Sequence, residues 1–365
     1  MLGFGSEKSP PWTLSPSARV TGPGGATSVG HVSTEPAPTP VPAPRSAGAA
    51  TVLARSRADL AAALAEAPDP RAVVMTMGAL HEGHFDLVRE AARRVGSTGT
   101  VVVTIFVNPL QFAPTEDLDA YPRDLEGDLD GLTRTLTGAD GTLGVGRLIV
   151  FAPTPEVIYP SGQPAVRIDP GPIATVLEGR TRPTHFAGVC QVVLTLMHLT
   201  APRWALFGRK DAQQLAIIES MVRDLAVPLE IVPVDIRRES DGLAMSSRNA
   251  YLSPEQRQQA LALSRALQAG RDAAAQATGS HPDPAAIRRA ALASLEAADG
   301  VEIDYVALVA PDSFEDLAGA GLGLPRSAPA GEDEGEGLPA VGLLAVAARV
   351  GTTRLIDNTL IDLRP

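Results

Sequence analysis

The chain has 365 residues, enough for two domains with cores of their own, and its 44% hydrophobic and 20% charged residues are ordinary for a globular protein. A net charge of −11 with no run of Lys or Arg argues against nucleic acid or an anionic membrane as the main partner, since both demand a basic footprint. The one cysteine, Cys190, excludes an internal disulfide, and no apolar run nears the roughly 20 residues of a bilayer span.

Cys190 stands among Val189, Val192 and Val193 and reads as a buried structural thiol in a reducing compartment. The N-terminus lacks a basic start followed by an apolar stretch, so it is not a secretory signal and a cytoplasmic location is expected.

Residues 1–48 are crowded with Pro, Gly, Ser, Thr and Ala and are expected to be a disordered, dispensable tail. A helix is expected from about Ser56, with Leu60, Ala63 and Leu64 on one face, broken by Pro68 and Pro70. Residues 72–77 read as a buried strand, 78–84 as a loop, 85–94 as a helix and 101–107 as a β-branched strand covered on both faces. Strand, helix and strand at this spacing make a βαβ unit. Strand 147–151, helix 188–200, strand 204–207, helix 212–225 and strand 229–234 continue the alternation. The expected fold is therefore α/β, a Rossmann-like doubly wound parallel sheet over residues 49–238.

After Arg238 the character changes. Ser253-Pro254 opens a long helix to about residue 277 with an N-cap and a proline at the first helical position. A second helix is expected over 284–298, and short strands over 302–309, 343–350 and 354–357. Residues 239–365 thus form a smaller α+β domain, interrupted by a Gly-, Pro- and acid-rich excursion at 319–339.

Four clusters carry chemistry. His81-Glu82-Gly83-His84 lies at a strand-to-helix turn, where free N–H groups and a partial positive charge favour phosphate. His-x-Gly-His is the pattern with which nucleotidyl-transfer enzymes stabilise charge on an α-phosphate; a zinc pair or two surface histidines are the other readings, and no third Cys or His nearby supports zinc. Gly208-Arg209-Lys210-Asp211, followed by Gln213-Gln214, ends a parallel strand where ligands of open sheets are met; it reads as a phosphate site or as a solvated loop. Ser246-Ser247-Arg248, within Asp241–Asn249, suits a polyphosphate cradle or a capping turn equally. Asn108 and Gln111, just after a strand, place two amides for a substrate's hydroxyl and carboxylate, or form a polar turn.

Taken in order, Thr76–His84, Phe106–Pro109, Gln111-Phe112, Tyr121–Arg123, Arg182–Val189, Met245–Asn249 and Gly351–Asn358 resemble the pantothenate synthetase family across residues 51–365. The resemblance implies an ATP- and Mg²⁺-dependent ligase that joins pantoate to β-alanine through a pantoyl-adenylate. It also implies a homodimer with a lid-like C-terminal domain. His81, His84 and Lys210 would be catalytic. Met77, Gly78, Gly208, Asp211, Met245, Ser246, Ser247 and Arg248 would complete the ATP site, with Gly208 and Met245 near the adenosine. Gln111, Gln214 and Asn108 would meet pantoate, Met77 would line its pocket, Arg182 and His185 would lie close by, and Asp128 would help hold Mg²⁺.

The chain departs from the family pattern at Met75 (usually Pro), Arg209 (usually Glu) and Ala212 (commonly aromatic), and Gly127 and Gly131 lack side chains that some relatives use near the metal. Arg209 either adds positive charge beside the triphosphate, offsetting weaker metal support, or points to solvent. The competing functions are a nucleotidylyltransferase, a class I aminoacyl-tRNA synthetase without an evident anticodon domain, and a nucleotide-binding protein without activity.

Overall fold

In a computed structural model, the described residues are 51–112, 118, 121–277, 281–319, 322–324 and 338–365. The expectations for residues 1–48 and for most of the 319–339 excursion lie outside them. The described residues all belong to one compact unit.

Its first part alternates strands and helices: β1 (Thr51–Ala54), α1 (Arg57–Ala65), β2 (Arg71–Thr76), α2 (Glu82–Val95), β3 (Thr100–Ile105), α3 (Leu125–Leu136) and β4 (Arg147–Phe151). Two single-turn helices, α4 (Pro155–Ile158) and α5 (Glu178–Thr181), precede α6 (His185–Thr200), β5 (Trp204–Gly208), α7 (Ala212–Asp224) and β6 (Glu230–Val234). All six strands pair in parallel, in the order β1-β4-β3-β2-β5-β6. The doubly wound sheet is as expected, with β1 added as an edge strand.

Alternation along β3 explains the two-sided burial. Val101 and Val103 pack with Val88 and Ala91 of α2 and Leu132 of α3, while Val102 packs with Leu60 of α1 and Val189 and Leu196 of α6. Cys190 is fully buried in the second of these layers, and desolvation pushes its thiol up to about 11, so it is structural.

The strand order reverses beside β2. From β2 the chain winds outward through β3 to β4, then returns to place β5 on the other flank of β2. The carboxyl ends of β2 and β5 therefore border the crevice where open α/β sheets receive ligands. The segments leaving those two ends are 77–84 and 209–211.

Beyond β6 come α8 (Pro254–Ala275), α9 (Pro284–Glu296), β7 (Val301–Val309), β8 (Val341–Val350) and β9 (Thr353–Asp362). Ser253 caps α8 by accepting from the Gln256 amide, and the Gln256 side chain accepts from the Ser253 amide in return. The three strands form a separate antiparallel sheet in the order β7-β8-β9. One face packs on α8 and α9 through Leu263, Leu267, Ile287 and Leu295. The other packs through Tyr305, Ala307 and Ala345 on Val176, Leu177 and Ala216 of the first part. The last strand runs past the expected end at residue 357, because residues 358–362 go on pairing with β8.

Candidate active site

The His-x-Gly-His segment builds its own helix start. His81 is the N-cap of α2, and its Nδ1 accepts from the Gly83 amide at 3.1 Å. His84, in the first turn, accepts the His81 amide on Nδ1 at 3.2 Å. Sequence reasoning placed the start at Phe85 because no Ser, Thr, Asp or Asn marks a cap; here imidazoles do the capping. A Cβ at Gly83 would sit about 3.0 Å from the His81 ring, so glycine lets that ring fold back over the turn.

An accepting Nδ1 leaves the proton on Nε2 in both neutral rings. Neither Nε2–H has a partner among the described residues. The rings lie 4.1 Å apart, centroid to centroid. Burial first, then the neighbouring His81, pushes His84 down to about 3; burial and the Lys210 ammonium lower His81. The pair therefore presents two uncharged N–H groups near neutral pH, at the positive end of a helix.

The turn before this helix is held from below. Gly78 has φ +88° and Ala79 φ +52°, two successive left-handed residues. Asp128 of α3 accepts from the Ala79 amide at 3.1 Å and from the Leu80 amide at 2.7 Å, and is only 3% exposed. Both carboxylate oxygens thus brace the loop. Gly127 and Gly131 add no donor, and the space above Gly131 is taken by the Phe85 ring. Among the described residues no group of three or more His, Cys, Asp or Glu is disposed around a metal position.

Lys210 lies in a 3-10 turn, Arg209–Asp211, between β5 and α7. Its Nζ is 3.3 Å from Asp211 Oδ1, and its charge is felt by both histidines. At Gly208 a side chain would meet open space. Ser246 caps the following 3-10 turn, Ser247–Tyr251, by accepting from the Arg248 amide. Lys210, Ser246, Arg248, Asn249 and Asp357 line one cleft, and Asp211 lies within electrostatic reach of Arg248. The second and third clusters thus converge, and Lys210 ties them to the histidines. Met77 is half-buried at the end of β2, and Met245 donates its amide to the Arg237 carbonyl.

The amide cluster is arranged differently from expectation. Asn108 is fully buried; it donates to Gln111 Oε1 and to the Gly188 carbonyl, both at 3.0 Å, and accepts from Tyr159 Oη at 2.9 Å. The Leu110 amide also donates to its Oδ1 at 3.3 Å, so all four of its hydrogen-bonding positions are taken by the scaffold. Gln111 Oε1 is engaged, and the Gln111 NH₂ has no hydrogen-bond partner among the described residues. Arg182 and His185 both reach the Gln111 carbonyl, at 3.2 Å each, and Arg182 Nη1 lies 3.3 Å from His185 Nε2. They hold the Gln111 turn from close by, as the resemblance leads one to expect of their position. Gly188 lets α6 lie against that turn, since a Cβ there would overlap the Leu110 carbonyl.

Gln214 is half-buried in the first turn of α7, with no hydrogen bond from its amide among the described residues. Its neighbour Gln213 is buried and structural, donating to the Ile173 and Val176 carbonyls and accepting from the Glu178 amide. Arg209 turns its guanidinium to Asp235, 3.3 Å away.

The family model for pantoate-beta-alanine ligase matches residues 52–360. The chain is 50% identical over 313 residues to a pantothenate synthetase from a Nocardioides species, covering 84% of each chain. It is 47% identical over 316 residues to one from Salinispora arenicola, covering 86% of this chain and 99% of the relative. Among solved structures, pantothenate synthetase from Thermus thermophilus superposes with a TM-score of 0.70 at 39% identity, over 86% of this chain and 99% of that one. A pantoate-beta-alanine ligase from Francisella tularensis, complexed with beta-gamma ATP and beta-alanine, superposes with a TM-score of 0.60 at 27% identity, over 85% and 97%.

Proposed function

This chain belongs to the pantoate–β-alanine ligase family, and on that premise we propose that it condenses pantoate with β-alanine while cleaving ATP to AMP and pyrophosphate. The observation that carries the reading is the meeting of His81, His84 and Lys210 at the switch point of the sheet.

The pantoate carboxylate attacks the α-phosphorus in line, and the bond to pyrophosphate breaks. Two neutral Nε2–H donors face the charge that grows on the α-phosphate oxygens, in a site already organised by the helix start. Lys210, Ser246, Ser247 and Arg248 hold the departing phosphates, with Gly208 and Met245 beside the adenosine and Gly78, Met77 and Asp211 at the rim. Gln111 and Gln214 orient pantoate. The β-alanine amine then attacks the carbonyl of the acyl-adenylate, and AMP leaves. Positioning and charge stabilisation are the protein's share, and no covalent enzyme intermediate is needed.

Mg²⁺, which the resemblance implies, would neutralise charge on the triphosphate, with Asp128 the residue that the resemblance puts near it; no step is routed through the ion. The resemblance supports two further readings, a homodimer and a cytoplasmic location; sedimentation analysis tests the first and fractionation of cells the second. No helix among the described residues is long and apolar enough to cross a membrane.

The test is mass analysis of products from ATP, pantoate and β-alanine. Pantothenate with AMP is expected. An adenylylated acceptor would point to a nucleotidylyltransferase, and no turnover to a binding protein.

A further inference from the structure

The last strand reaches back across the molecule into the Lys210 turn. Asn358 of β9 is 6% exposed, and its Nδ2 donates to two successive carbonyls, Arg209 O at 2.9 Å and Lys210 O at 2.8 Å. The preceding residue fixes it in place. Asp357, 3% exposed, accepts from the Asn358 amide at 2.8 Å and forms a two-pronged ion pair with Arg238 at 2.7 and 3.0 Å. Arg238 in turn closes the loop 238–244 by donating to the Gly242 carbonyl, directly before Ser246 and Arg248.

An NH₂ group has two hydrogens in one plane, and here both are spent on consecutive backbone oxygens. Neither Asp nor Leu, of nearly the same size, can do this. The clamp sets the turn that carries Lys210, and the Asp357–Arg238 pair sets the segment that carries Ser246 and Arg248. Both groups expected to grip phosphate are therefore referred to one strand of the C-terminal sheet.

We propose that Asn358 is a positioning residue for the adenylation step: it fixes the Lys210 turn against the second sheet so that the ammonium meets the polyphosphate in register. This rests on the function proposed above. It separates the two half-reactions, because only the first handles a triphosphate.

The experiment compares Asn358→Leu and Asn358→Asp with wild type in two assays on the same preparations. One is pyrophosphate release from ATP and pantoate; the other is pantothenate formation from preformed pantoyl-adenylate and β-alanine. The variants are expected to lose roughly 10- to 100-fold in kcat/KM for ATP, the scale of a misplaced catalytic group. The second half-reaction, which also reports the folded fraction, should stay within about twofold of wild type by the same argument. In a Lys210→Ala background, Asn358→Leu should add little, because the two act through one contact. Equal losses in both half-reactions, an unaffected first one, or full additivity with Lys210→Ala would overturn the proposal. A wild-type protein that releases no pyrophosphate would instead overturn the functional reading, and this one with it.

Discussion

Substituting His84 by Asn and by Gln separates two tasks that one ring performs. Its Nδ1 caps the helix by accepting the His81 amide at 3.2 Å, and its Nε2–H is the free donor. An Asn side chain places an oxygen where Nδ1 stands but has nothing at the Nε2 position; Gln does the reverse. Asn should therefore keep the cap and lose the donor. Removing one preorganised donor to a developing oxyanion costs about 10²- to 10³-fold, or about 2.7–4 kcal/mol of barrier. Gln should lose about 1 kcal/mol of stability with the cap and much less of the rate. Single-turnover pyrophosphate release and urea denaturation measure the two effects separately. If the His84→Asn protein adenylates pantoate within about threefold of wild type, His84 is not a donor to the transition state, and the assigned role fails.

The same histidine makes stability depend on pH. Its folded pKa of about 3 lies below the ordinary 6.5, so the unfolded chain binds the proton first, and the contribution present above pH 6.5 is lost as the pH falls toward 3. Between pH 6.5 and 5, wild type should lose up to about 2 kcal/mol more than His84→Asn in denaturant titrations, and parallel curves would contradict this. Arg354 of β9 ties the second sheet to α5: it meets Glu178 at 2.6 and 2.8 Å and Asp304 of β7 at 2.6 and 2.8 Å, while Tyr305 Oη donates to Glu178 at 2.9 Å. Burial opposes the charge, but Glu178 and Asp304 hold the guanidinium firmly protonated, so Arg354→Met should cost about 3–5 kcal/mol by denaturation, and a loss under about 1 kcal/mol would show the cluster to be solvent-screened. Arg209→Glu should leave the Mg²⁺ dependence of adenylation unchanged, because the guanidinium is turned to Asp235; a clear rise in the Mg²⁺ needed would revive the compensating role.

Much of this was legible along the chain. The β-branched runs of β2, β3 and β4, alternating with amphipathic helices, specify a parallel sheet covered on both faces, because period and composition are local properties. The His-x-Gly-His loop and the Lys210 turn were legible for the same reason: each is a short segment following a strand. Helix starts were read late where the cap was unusual, as at His81 and at Thr184, which makes no side-chain cap.

The sequence by itself determined the fold class, the family and which short segments are candidates for the chemistry. Only the tertiary structure decided which way each polar side chain turns. Asp128, Asn108, Arg182 and His185 are all polar residues that the resemblance puts at or near the site, and each is hydrogen-bonded to the scaffold. Their partners lie 48 to 80 residues away: Leu80 for Asp128, Gly188 for Asn108, and Gln111 for Arg182 and His185. Near a binding site a polar group can satisfy a ligand or the scaffold. A buried one must satisfy something, and what comes within about 3 Å of it depends on how the strands and helices pack. Asn358 is the same lesson in reverse, a residue from the far end of the chain whose partners, 148 and 149 positions earlier, are the carbonyls of the Lys210 turn.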